Sequence, residues 1–151
     1  MSKTLIVMRH AKSSWDRPVS DIERALNERG RSGATALGAW LRQHALEPDE
    51  ILCSSAERTQ ETAQCLKLAT PITSLPALYM APADVLLKHI ARASGDVVLV
   101  LAHNPGIGEF AERLAKSPPD HPRFLDYPSG ATTVFSCDID SWSDLKFASA
   151  E

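Results

Sequence analysis

Three short apolar runs each stop at a polar cluster, and this pattern constrains the fold more than any other feature. Leu5-Ile6-Val7-Met8 leads into Arg9-His10-Ala11-Lys12-Ser13-Ser14-Trp15. Ile51-Leu52-Cys53 leads into Ser54-Ser55-Ala56-Glu57-Arg58-Thr59, and Val97 to Leu101 leads into Ala102-His103-Asn104-Pro105-Gly106. Unbroken apolar runs of this length suit strands covered on both faces. Between and after them, apolar residues fall at helical spacing. One helix is expected from about Asn27 to about His44, with Ala34, Leu37, Leu41 and Ala45 on one face. Gly30, Gly33 and Gly38 weaken it locally and allow close packing on a sheet. Ser54-x-x-Glu57 reads as a capping box opening a second helix through Thr62, Cys65 and Leu66. A third runs from about Ala83 to Ala93. Asn104-Pro105 reads as an N-cap followed by proline at the first helical position, opening a fourth.

Ile72 to Leu75 and Ala131 to Cys137 are further strands, and Trp142 to Ala148 is another candidate. Residues 12 to 25 and 117 to 130 read as loops, the latter holding four of the ten prolines. There is no repeat and no linker, so the 151 residues are expected to form one domain with a sizeable core. Alternating strands and helices imply an α/β layer architecture with a largely parallel sheet. Ligands of such sheets bind outside the carboxyl ends of the strands. Parallel neighbours would bring Arg9, His10, Arg58 and His103 to one rim.

Composition removes several function classes. A net charge of −3 provides no broad basic field for nucleic acid or an anionic membrane. No apolar run reaches membrane length, and the first is too short for a signal peptide. The three cysteines, at 53, 65 and 137, have no CxxC spacing. Packing roles in a reducing compartment are expected, with no zinc site and a cytoplasmic location. No glycine-rich fingerprint follows the first strand, which excludes dinucleotide binding.

Two arginines and two histidines at one rim point to phosphate. Guanidinium groups bind phosphate oxygens in a fork and stay charged at any working pH. A neutral imidazole nitrogen is a nucleophile towards phosphorus. With cations supplied by the protein, no metal or other cofactor is required.

Arg9-His10-Ala11, Ser54-x-x-x-Arg58-Thr59-x-x-Thr62-Ala63 and His103-Asn104-Pro105-Gly106 resemble the motifs of the histidine phosphatase superfamily. More narrowly, Arg9 to Trp15 and Arg24-Ala25-Leu26-Asn27-Glu28-Arg29-Gly30 resemble the SixA-type phosphohistidine phosphatases. The match runs in order from about residue 4 to Tyr127-Pro128-Ser129-Gly130-Ala131. The resemblance implies a three-layer α/β/α sandwich of the phosphoglycerate mutase-like kind. It implies that His10 is the phosphorylated nucleophile and that Arg9 and Arg58 bind the phosphoryl group. His103 is then the second pocket histidine, and Ser13 adds a hydroxyl contact.

Three departures from the family pattern matter. Ala11 stands for the usual glycine, and Asp16 stands where mutase-type members carry asparagine. No counterpart of the general-acid glutamate is found, because Leu75 to Asp84 holds only Asp84. A substrate with a good leaving group does not need that acid, and the labile phosphorus–nitrogen bond of phosphohistidine fits. The implied partner is a phosphorylated protein, a phosphotransfer domain or phosphocarrier, with inorganic phosphate as product. A phosphatase of small phosphorylated metabolites and a non-catalytic phosphoprotein-binding module are the alternatives. Asp21 is expected to pair with Arg24 and anchor the loop, Lys12 to be a rim charge, and Trp15 to line the pocket mouth.

Overall fold

The computed structural model describes residues 2–151. Five strands form one sheet in the order β3-β2-β4-β1-β5. They are β1 (Lys3–Arg9), β2 (Glu50–Ser54), β3 (Ile72–Leu75), β4 (Val97–Ala102) and β5 (Thr132–Cys137). The first four run parallel, and β5 pairs antiparallel with β1 at the edge. The helices are α1 (Glu28–Gln43), α2 (Glu57–Cys65), α3 (Ala83–Ile90) and α4 (Gly106–Leu114).

Successive strand residues point to opposite faces, and the core divides accordingly. Leu5, Val7, Leu52, Val98 and Val100 face one layer, against Leu86 and Ile90 of α3 and Phe110 and Leu114 of α4. Ile6, Met8, Ile51, Cys53, Leu99 and Leu101 face the other, against Leu41 of α1 and Ala63 of α2. With both faces covered, the central strands β1, β2 and β4 carry unbroken apolar runs. The result is the three-layer α/β/α sandwich.

The elements explain their own boundaries. Asn27 caps α1 by accepting from the Gly30 amide at 2.8 Å. Gly30 is required by close approach, since a Cβ there would lie 2.1 Å from the Lys12 carbonyl oxygen. Gly38 packs equally closely on the Leu66 carbonyl, whereas a Cβ on Gly33 would meet nothing within 4 Å. Close packing therefore accounts for two of the three helix glycines.

Three local expectations are corrected. The Ser54-Glu57 capping box does not form. Ser54 is still in β2, α2 is capped by Ala56 without a side-chain bond, and the Ser54 hydroxyl turns to His103. Helix α4 begins at Gly106, with Pro105 before it and the Asn104–Pro105 peptide cis. Asn104 still serves it, its Oδ1 accepting from the Gly108 amide at 3.1 Å. Trp142 to Ala148 is not a strand. Trp142 to Asp144 form a 3-10 turn that buries the Trp142 ring, whose Nε1 donates to the Gly95 carbonyl at 2.7 Å. No helix among the described residues is long and apolar enough to cross a membrane.

Candidate active site

Strand register assembles the site. Arg9 of β1 stands opposite Ala102 of β4, so the next residues, His10 and His103, leave the sheet side by side. On the other flank of β4, Cys53 pairs with Leu101, which brings Ser54 to the same rim. The His10 and His103 ring centroids are 5.4 Å apart. Arg58, one residue into α2, reaches the rim with only 2% of its surface exposed. The four residues named from the motifs line one pocket of about 520 Å³, together with Lys12, Ser13, Trp15, Asp16, Asp21 and Met80.

A hydrogen bond assigns the His10 tautomer. His10 Nδ1 lies 2.7 Å from the Ala11 carbonyl oxygen, which only accepts. The ring proton is therefore on Nδ1, and Nε2 keeps its lone pair. The Ala56 amide donates to Ser54 Oγ at 3.3 Å, while that hydroxyl lies 2.7 Å from His103 Nε2. His103 Nδ1 has no protein partner.

Among the described residues, the buried side-chain nitrogens and oxygens without a hydrogen-bond partner are Arg9 Nε, Arg58 Nε and His103 Nδ1. All three belong to the pocket. Unpartnered buried polar atoms are costly in a folded protein, and two arginines beside two histidines suit an anionic ligand. Among the described residues, no group of three or more His, Cys, Asp or Glu side chains is placed to hold a metal ion.

Both arginines are positioned by other groups. Arg9 Nη1 donates to the Tyr127 carbonyl at 3.1 Å. Arg58 grips Asp21 twice, through Nη1 to the backbone oxygen at 2.6 Å and Nη2 to the carboxylate at 2.9 Å. Asp21 also accepts from Arg24 Nε at 3.2 Å, the anchoring pair expected, and from the Tyr79 hydroxyl. The Tyr79 hydroxyl, with Arg58 and Arg24, holds the Asp21 carboxyl well below the usual carboxylate range. Asp21 is thus an ionised clamp and not a proton donor.

Other predicted residues are placed as follows. Ser13 lines the pocket, but its hydroxyl accepts from Arg24 Nη1 at 2.8 Å. Trp15 lies at the mouth, 77% exposed, with the Arg24 guanidinium 3.5 Å over its ring. Asp84 lies outside the pocket, paired with Arg113 at 3.2 Å. The residues of the 75–84 segment nearest the chemistry are Tyr79, edge-on to His103, and Met80, which lines the pocket. Neither carries a carboxyl. Sequence reading missed Ser54, Tyr79 and Met80. Only Ser54 carried a signal, as a hydroxyl directly at a strand end.

Burial lowers the His10 pKa to about 4, with the Arg9 and Arg58 charges adding and the Ala11 carbonyl opposing. Burial and the Arg58 charge lower His103 to about 3. Both rings are neutral at physiological pH, the form a nucleophile needs. An unfolded histidine titrates near 6.5. Between pH 6.5 and about 4 the unfolded chain therefore binds protons that the folded chain excludes. The stabilising contribution is complete above pH 6.5 and declines as pH falls, by roughly 2–3 kcal/mol for His10. Urea midpoints measured across this window should drop with pH in the wild type and drop less in His10→Asn. Equal slopes for the two proteins would refute a buried, neutral His10.

The comparisons agree with this geometry. Residues 5–79 match the model of the histidine phosphatase superfamily, branch 1. An uncharacterized protein of Mycobacterium leprae is 31% identical over 95% of each chain. The assigned phosphohistidine phosphatase SixA of Nakamurella multipartitia superposes with a TM-score of 0.86 at 29% identity, over 100% of this chain and 93% of that one. The corresponding SixA of Agrobacterium tumefaciens gives 0.78 at 25%, over 90% and 92%. The chain belongs to the histidine phosphatase superfamily. Within that superfamily it is of the SixA type, and its fold is that of a phosphatase.

Proposed function

We propose that the protein hydrolyses phosphohistidine on a protein substrate, through a covalent phospho-His10 intermediate and without a metal. His10 Nε2 attacks phosphorus, and a P–Nε2 bond forms as the bond to the substrate imidazole breaks. The leaving imidazole takes the electron pair and a proton from solvent. Arg9 and Arg58 hold the phosphoryl oxygens as charge shifts between them, and His103 Nδ1–H donates to a third. Water then attacks the phosphoryl group, and the electron pair returns to Nε2.

The observation that carries this reading is the state of the pocket's acids. Asp21 is locked as a carboxylate, Asp84 is turned to Arg113, and Tyr79 and Met80 occupy the face nearest His103. Only Asp16 remains, on the exposed rim. An alkoxide leaving group needs a proton delivered in the transition state, whereas an imidazole leaves readily with a solvent proton. The SixA names of the two neighbours above 24% identity support the same substrate class.

The test is phosphate release from a histidine-phosphorylated phosphotransfer domain beside a panel of phosphate monoesters. The expected result is a kcat/KM at least about 100-fold higher for phosphohistidine, the usual worth of a missing acid–base catalyst. A preference for alkyl phosphates would overturn the reading in favour of a metabolite phosphatase. Binding without turnover of either would favour a recognition module.

A further inference from the structure

A second groove of about 520 Å³ adjoins the phosphoryl pocket and shares Lys12 and Ser129 with it. It lies between the first turns of α1 and the 123–130 segment. Its charged lining residues are Lys12, Arg29 and Arg123, and no carboxylate contributes to it. Arg123 is held by Asp126 at 2.8 Å, whereas Lys12 and Arg29 form no ion pair with any described residue. In a chain of net charge −3, this cluster is a local exception placed beside the reaction centre.

The floor of the groove points the same way. Gly33 lies there, and a side chain at this position would meet nothing within 4 Å. An interior helix glycine costs roughly 1 kcal/mol relative to alanine, and packing does not explain this one. With no side chain at Gly33, the groove is left open there for another chain to lie against.

We propose that this groove receives acidic side chains of the phosphorylated substrate protein, flanking the phosphohistidine held in the neighbouring pocket. The assignment rests on the phosphohistidine reading above. The groove's cations are long and exposed, unlike the buried Arg58 beside His10. Such charges suit solvated carboxylates on a protein surface better than a second phosphate of a small ligand. Their expected effect is on encounter rate and partner choice more than on chemistry.

The experiment compares wild type with an Arg29→Glu, Arg123→Glu double variant, leaving Lys12 intact because it also borders the pocket. Three substrates are used: a phosphotransfer domain with carboxylates around its phosphohistidine, the same domain with those carboxylates changed to amides, and free phosphohistidine. The double variant should lose about tenfold in kcat/KM on the acidic domain at low salt, with kcat unchanged. It should lose nothing on the other two, and added salt should shrink the difference. Equal losses on all three substrates, or no loss on the acidic domain, would overturn the groove assignment while leaving the phosphohistidine reading intact. A wild type inactive on all three would overturn that reading, and the groove assignment with it.

Discussion

Replacing His10 with alanine should reduce turnover by at least about 10⁴-fold, because a nucleophile has no substitute elsewhere in the pocket. His103 is the only other imidazole at the rim. Its Nε2 is engaged by the Ser54 hydroxyl at 2.7 Å. The fold should survive, since His10 makes one side-chain hydrogen bond, to the neighbouring Ala11 carbonyl. The measurement is single-turnover phosphate release together with trapping of radiolabelled phosphoenzyme. Wild type should show an acid-labile, base-stable label that His10→Ala lacks. A labelled alanine variant, or one retaining a tenth of wild-type activity, would place the nucleophile elsewhere.

Removing Arg58 should cost about 10²–10³ in kcat/KM, the usual effect of losing one strong donor to a developing anion. Two losses combine at this residue. The pocket loses a cation beside phosphorus, and Asp21 loses the two bonds that tie the 12–25 loop to α2. Arg58→Lys separates them. It keeps the positive charge but cannot grip both the backbone oxygen and the carboxylate of Asp21 in a fork. Most of the activity should still be lost in the lysine variant, with the inhibition constant of inorganic phosphate raised less than in Arg58→Ala. A lysine variant as active as wild type would reduce Arg58 to a point charge, and the clamp would be irrelevant to catalysis.

The strands and the gathering of Arg9, His10, Arg58 and His103 at one rim were legible because the same fact produces both. A parallel sheet covered on two faces demands unbroken apolar runs, and the first polar residue after each run is at the ligand-binding edge. Leu5 to Met8 followed by Arg9-His10 therefore announces both an element and a site. Features decided by distant contacts were not legible. Ser54 has a hydroxyl that serves a helix cap and a neighbouring imidazole equally well in sequence, and only strand register chooses between them. The Asp21–Arg24 pair, three residues apart, was readable, whereas the stronger tie from Asp21 to Arg58 spans 37 positions. Trp142 to Ala148 reads as a strand from its sequence alone. The sheet edge beside β1 was already taken by β5, and Trp142 found its place under the Gly95 carbonyl instead.

The strand order has a consequence for how the molecule comes into being. Strand β1, which carries Arg9 and leads into His10, is flanked by β4 and β5 and by no strand nearer in sequence. On the ribosome, the first strand made therefore waits without a neighbour until residues 97 to 137 have emerged from the exit tunnel. The parallel pair β2 with β3, by contrast, can close early and locally. A nascent chain thus carries a histidine but no pocket, and a partly made or clipped chain has no intermediate degree of competence. Phosphatase activity in a preparation of this protein would count molecules that have completed the whole sheet.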